Sequence, residues 1–169
     1  MIYIVRHGQT DYNVEKRITG RIDIPLNENG RKEALELKEQ LKNIYFDYVF
    51  SSPLIRASET AKIISAKTPI IDDRLIERDN GDIEGRLVEE LHGFDYTSDK
   101  FHLENVIDIQ TRINSFLDEI KEKYPKKNIL VVTHGGVIIN IRYYFEGKPL
   151  DGNYGKYITN NCEILKYPI

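Results

Sequence analysis

The sequence predicts an α/β fold, a three-layer αβα sandwich built on a largely parallel sheet. Short apolar runs alternate with longer amphipathic stretches along the chain, the pattern of strands joined by crossover helices. Each run is compact and apolar, as expected of strands covered on both faces. The polar residues add a third observation. Arg6-His7-Gly8, Ser52 to Arg56 and His134-Gly135-Gly136 each directly follow a run, and open parallel sheets bind ligands at the carboxyl ends of their strands.

Taken in order, Ile2 to Val5 is the first strand. In the helix Glu28 to Lys42, Ala34, Leu37 and Leu41 share one face, and Asn27 stands ready as N-cap. Tyr48 to Ser51 is the second strand. Ser52-Pro53 is expected to open the next helix, because serine caps and proline tolerates the first helical position; Ala57, Ala61 and Ile64 form its inner stripe. A weaker strand follows at Ile70 to Asp72. A long helix from about Val106 to Tyr124 aligns Ile109, Ile113, Phe116, Leu117 and Ile120 on one side. Ile129 to Thr133 is the fourth strand, a helix follows Gly135-Gly136, and the alternation within Asn161 to Tyr167 suits an edge strand.

A chain of 169 residues is expected to form one domain, 1–169, with a core around its sheet. Its 40% hydrophobic and 30% charged residues describe an ordinary soluble protein. A net charge of -3 provides no basic field for nucleic acid or an anionic membrane, so any anion must be captured locally. The lone cysteine, Cys162, has no partner for an internal disulfide, and no Cys/His cluster has zinc spacing. A cytoplasmic setting is expected. The apolar run within Met1 to Arg6 is too short for a signal peptide or a membrane span.

The chemistry concentrates in a few residues. His7 ends a strand beside Arg6, and a guanidinium packed there is costly without an anion to share. Gly8 would let the backbone approach that anion, and Thr10 and Asn13 offer neutral donors. A capped, solvated turn is the competing reading. Arg56 lies in the first turn of its helix, where the dipole and free amides favour an anion, and its planar fork can bind two phosphate oxygens. An ion pair with Glu59 competes with that role. His134 sits in a tight strand-to-helix turn before two glycines, with a satisfied core histidine as the alternative. Glu77 is the preferred proton donor, yet spacing alone leaves Asp79, Asp82 and Glu84 open. His92 and His102 lie in a polar stretch and are expected at the solvated surface.

In order along the chain, five motifs resemble the histidine phosphatase superfamily, the phosphoglycerate mutase-like family. They are Arg6-His7-Gly8-Gln9-Thr10 with Asn13; Gly20-Arg21-Ile22-Asp23-Ile24-Pro25-Leu26 through Gly30; Ser51-Ser52-Pro53-Leu54 with Arg56-Ala57 and Thr60-Ala61; Leu75 with Glu77, Gly81 and Glu84-Gly85; and Thr133-His134-Gly135-Gly136. The resemblance implies a phosphoglycerate mutase-like sandwich with a short cap at about 78–105. It implies a phosphohistidine on His7, with Arg6, Arg56 and His134 around the phosphoryl oxygens and Glu77 as acid and base. It also assigns Asn13, Thr19, Gly20 and the Gly135 amide to supporting phosphate contacts, and it calls for no metal or cofactor.

Hydrolysis of a small phosphorylated metabolite is the leading activity. Only 57 positions separate Glu77 from His134, whereas mutases of the family carry a much longer insertion there, so water should reach the phosphohistidine easily. A phosphoglycerate mutase-type transferase and a non-catalytic phospho-ligand binder on the same fold are the alternatives. Phosphosugars, α-ribazole phosphate, nucleotide-related phosphates and protein phosphohistidine are the substrate classes the resemblance offers. Phe94, Tyr96, Phe101 and His102 are candidates for aromatic contact at the entrance, with packing of the cap as the competing role. The sequence carries no signal for oligomeric state.

Overall fold

The computed structural model of the chain describes residues 1–94, 99–150 and 154–169. Its five-stranded sheet has the order β3-β2-β4-β1-β5, where β1 is Ile2–Arg6, β2 Tyr48–Ser51, β3 Ile70–Ile71, β4 Ile129–Thr133 and β5 Ile164–Tyr167. The first four run parallel, and β5 pairs antiparallel with β1. The helices are α1 (Asp11–Val14), α2 (Glu28–Gln40), α3 (Ile55–Ser65), α4 (Val106–Lys123) and α5 (Gly135–Glu146).

Strand alternation divides the core in two. Ile2, Ile4, Ile129 and Val131 face α4 and α5, while Tyr3, Val5, Leu130 and Val132 face α2 and α3. All five residues of β4 are buried, as the near-continuous apolar run of a central parallel strand requires. β3 departs from expectation. It is two residues long, and Ile70 and Ile71 are exposed on the sheet edge. Asp72 leaves the strand because its carboxylate accepts from the Arg74 amide at 2.9 Å, capping a 3-10 turn that leads toward Glu77.

Two helix starts also differ from the sequence reading. Asn27 caps α2 as expected, accepting from the Gly30 amide at 2.9 Å. Ser52 does not open α3, whose N-cap is Leu54 without a side-chain bond. The Ser52 hydroxyl is engaged elsewhere, as the site makes clear. The short helix α1 was not anticipated. A capping box forms it, with the Thr10 hydroxyl accepting from the Asn13 amide and the Asn13 carboxamide oxygen from the Thr10 amide.

Register then brings the site loops together. Arg6 pairs with Thr133, and Ser51 with Val132. The next residues continue the ladder: the His7 amide donates to the Thr133 carbonyl at 3.0 Å, and the Ser52 amide to Val132 at 3.1 Å. His7, Ser52 and His134 therefore lie side by side at one end of the sheet. Residues 78–105 carry 3-10 turns at Gly81–Ile83, Val88–Leu91 and Asp99–Phe101. No helix among the described residues is long and apolar enough to cross a membrane.

Candidate active site

A cleft of about 260 Å³ opens at the carboxyl ends of the strands. Arg6, His7, Asn13, Thr19, Gly20, Arg56, Glu77 and Gly135 line it, so eight of the nine residues expected at the site share one wall-to-wall space. The ninth, His134, is fully buried beneath them, its ring 5.2 Å from that of His7.

Hydrogen bonding gives the two histidines opposite characters. His7 Nδ1 lies 2.7 Å from the Gly8 carbonyl oxygen, which can only accept, so Nδ1 carries the hydrogen and Nε2 presents a lone pair. His134 Nε2 lies 2.7 Å from Ser52 Oγ, which also accepts from the Leu54 amide at 3.3 Å. With the hydroxyl hydrogen donated to Nε2, His134 keeps its own hydrogen on Nδ1 as a donor. Burial holds the pKa of both rings well below its ordinary value, reinforced by the positive charges of Arg56 and Arg6. Both imidazoles are thus neutral.

The arginines are anchored through their forks. Arg56 Nη1 and Nη2 donate to the carbonyls of Ile22 and Gly20 at 2.9 and 2.8 Å, and Arg6 Nη1 to that of Thr159 at 2.5 Å. Glu59 pairs instead with Arg31 at 2.6 Å, so the competing partner for Arg56 is occupied. Arg6 Nε, Arg56 Nε and His134 Nδ1 are buried with no partner among the described residues. Unpartnered buried donors are costly unless a ligand or water satisfies them, and these three belong to residues that line the cleft with His7 or lie just beneath it.

Glu77 reaches the cleft across the sheet end. Its two oxygens accept from the amides of Arg78 at 2.8 Å and Gly136 at 3.2 Å, the latter in the first turn of α5 where a carboxylate is favoured. Asn13 Oδ1 accepts from the Thr10 amide and hydroxyl and from Asn161 Nδ2, at 3.0 to 3.3 Å, which turns the Asn13 amino group toward the cleft. Gly8 plays another part than expected. It packs against Gly30, whose carbonyl oxygen would stand 2.5 Å from an added Cβ, and does not line the cleft.

Ser52 and Asn161 were missed as site residues. Ser52 reads as a helix cap, and Asn161 contacts His7 across 154 positions of sequence, which no local signal reveals. Of the entrance candidates, Phe94 and Phe101 pack against one another at a tilt, with centroids 4.8 Å apart, and exposed His102 pairs with Asp82. Tyr96 lies outside the described residues. His92 is exposed, as expected.

The family model of the histidine phosphatase superfamily (branch 1) matches residues 2–167. The chain belongs to that superfamily. Within it, the chain is 37% identical over 141 residues to the uncharacterized phosphatase PhoE of Bacillus subtilis, covering 81% of this chain and 72% of that protein. It is 32% identical to phosphoserine phosphatase 1 of Hydrogenobacter thermophilus, covering 79% and 70%. Among solved structures, a mycobacterial glucosyl-3-phosphoglycerate phosphatase superposes with a TM-score of 0.84 at 26% identity, covering 96% of this chain and 90% of that one. A phosphoserine phosphatase of Entamoeba histolytica in complex with 3-phosphoglyceric acid gives 0.82 at 30% identity, covering 96% and 87%. The expected fold, a mostly parallel sheet with helices on both faces, is that of these superfamily phosphatases.

Proposed function

We propose that this histidine phosphatase superfamily member is a phosphomonoester hydrolase that works through a phosphohistidine on His7. One observation carries the reading: a neutral imidazole with its lone pair on Nε2 shares the cleft with Arg6 and Arg56, above buried His134, and each of these three side chains keeps a buried donor without a partner among the described residues. In the first step Nε2 attacks phosphorus, the P–O bond to the substrate alcohol breaks, and Glu77 gives its proton to the leaving oxygen. In the second, the Glu77 carboxylate takes a proton from water as its oxygen attacks phosphorus; the P–N bond breaks, releasing inorganic phosphate and restoring His7. Arg6, Arg56 and the His134 Nδ1–H hold the equatorial oxygens, where preorganised donors act most strongly on the transition state. Asn13, Thr19, Gly20 and the Gly135 amide support the same group.

The substrate is a small phosphorylated metabolite. The modest cleft volume supports this, as do superfamily relatives named for phosphoserine and glucosyl-3-phosphoglycerate. A free cysteine, Cys162, fits a cytoplasmic setting.

Turnover of a panel of phosphorylated metabolites, measured with a chelator present, tests class and metal independence together. Wild type is expected to release phosphate with chelator and to yield an acid-labile phosphoryl group on His7 after quenching. His7→Ala should lose at least ~1,000-fold in kcat/KM, the scale seen when a nucleophile is removed. Phosphoglycerate interconversion that depends on a bisphosphorylated primer would replace this reading with a mutase, and ligand binding without turnover on any substrate would leave a binder.

A further inference from the structure

Behind the cleft, a partly buried ion-pair cluster grips the segment that carries Glu77. Glu104, one residue before the N-cap of α4, has a side chain only 12% exposed. Its carboxylate takes Arg112 in a fork, Nε at 2.8 Å and Nη2 at 3.0 Å, and also accepts from Arg21 Nη2 and the Asp79 amide, both at 3.2 Å. The Glu104 amide donates to the Asp79 carbonyl at 2.8 Å. Arg21 closes the circuit, with Nε donating to the Glu77 carbonyl at 3.2 Å and Nη1 to Asp79 Oδ2 at 3.3 Å. The main chain of residues 77–79 is therefore held at three points by Glu104 and Arg21. Neither Glu104, Arg21 nor Arg112 lines the cleft.

Such a cluster is a poor source of stability. Taking the Glu104 carboxylate and the Arg112 guanidinium largely out of water, with Arg21 partly so, costs about what their attraction returns, and apolar packing often serves as well. What it does supply is fixed geometry, and Glu77 needs that. Among the described residues its carboxylate accepts from two backbone amides, one of them that of its neighbour Arg78, so its reach into the cleft depends on where its own backbone lies.

We infer that Glu104 is a positioning residue that acts through Arg21 and the backbone of residues 77–79 to set the Glu77 carboxylate at the leaving oxygen. The inference rests on Glu77 as proton donor. That dependence supplies a readout which general loosening of the fold would not give, because a donor of protons matters in proportion to the basicity of the leaving group. An alkoxide needs the proton; 4-nitrophenolate hardly does.

The experiment compares kcat/KM, which reports events up to P–O cleavage, for 4-nitrophenyl phosphate and for the alkyl phosphate that wild type turns over best. Glu104→Gln is expected to cost about tenfold to a hundredfold on the alkyl ester and under about threefold on the aryl ester, a share of the ~100- to 10,000-fold that a placed acid supplies. The inhibition constant of inorganic phosphate should not move. Glu77→Gln should give the same ordering with larger losses. If Glu77→Gln is selective and Glu104→Gln slows both esters alike, Glu104 is structural and the inference falls alone. If Glu77→Gln slows both alike, the acid assignment fails and takes the inference with it. Should Glu104→Gln fail to fold, Arg21→Gln, which leaves the Glu104–Arg112 pair intact, takes its place: selectivity for the alkyl ester supports the inference, and equal slowing of both esters overturns it.

Discussion

At the scale of single residues, the division of labour between His7 and His134 depends on two hydrogen-bond partners of different kind. A backbone carbonyl can only accept, so His7 has no choice of tautomer. A serine hydroxyl can do either, so the His134 tautomer depends on Ser52 staying in place with its hydrogen presented to Nε2. Ser52→Ala removes that partner and frees His134 to carry its hydrogen on the wrong nitrogen. The expected result is a fall in kcat of about tenfold to a hundredfold, somewhat below the ~100- to 1,000-fold for outright loss of an oxyanion donor. Nitrogen chemical shifts of the His134 ring should show a mixture of tautomers; an unchanged ring spectrum with unchanged kcat would reduce Ser52 to a seat for α3. None of this was legible in the sequence, where Ser52-Pro53 reads as a helix start. Tertiary demand for the hydroxyl outweighed its local preference.

At the scale of elements, two glycines in the first turns of helices make a controlled pair. By intrinsic propensity alone, alanine at either place would favour the helix by up to ~1 kcal/mol. Their neighbours differ. A Cβ on Gly30 in α2 would stand 2.1 Å from the Gln9 carbonyl oxygen, which belongs to backbone beside the nucleophile loop. A Cβ on Gly136 in α5 would stand 2.6 Å from Glu77 Oε1, the far end of a side chain and not backbone. Gly30→Ala is therefore expected to destabilise by about 1–3 kcal/mol, the usual cost of overpacking, read as a lower urea midpoint. Gly136→Ala should keep its midpoint and lose kcat/KM about a hundredfold or more on alkyl phosphates, as displacing an acid would. If Gly136→Ala unfolded early with normal specific activity, the placement of Glu77 on α5 would be wrong. Element boundaries were legible where local chemistry settles them, as with Asn27 and the stripes of α2 and α4. They were not for α1, whose capping box closes with Asn13 in place of the usual Glu or Gln, or for β3, where Asp72 prefers to cap the next turn.

At the scale of the whole molecule, the parallel order β2-β4-β1 places three loops that are far apart in the chain next to one another, and the sequence shows those loops only as polar residues that follow apolar runs. The same arrangement buries both histidines at the end of the sheet, with a consequence for stability. The folded state keeps His7 and His134 neutral well below the ordinary pKa of 6.5, through desolvation first and the nearby guanidinium charges second. The unfolded chain protonates both near 6.5. As pH drops through that value, the unfolded state takes up protons that the folded state refuses, so stability present above pH 6.5 is progressively lost below it, by up to ~1.4 kcal/mol per pH unit for each ring. Urea unfolding at pH 7.5, 6.5 and 5.5 should show a declining free energy. Phosphate-free buffer is essential, since a bound anion would favour protonated rings and flatten the decline. His7→Gln and His134→Gln should each remove part of the slope between pH 6.5 and 5.5, and the double variant most of it. A double variant as acid-sensitive as wild type would mean that these rings are charged in the folded protein, which would deprive His7 of its lone pair at neutral pH.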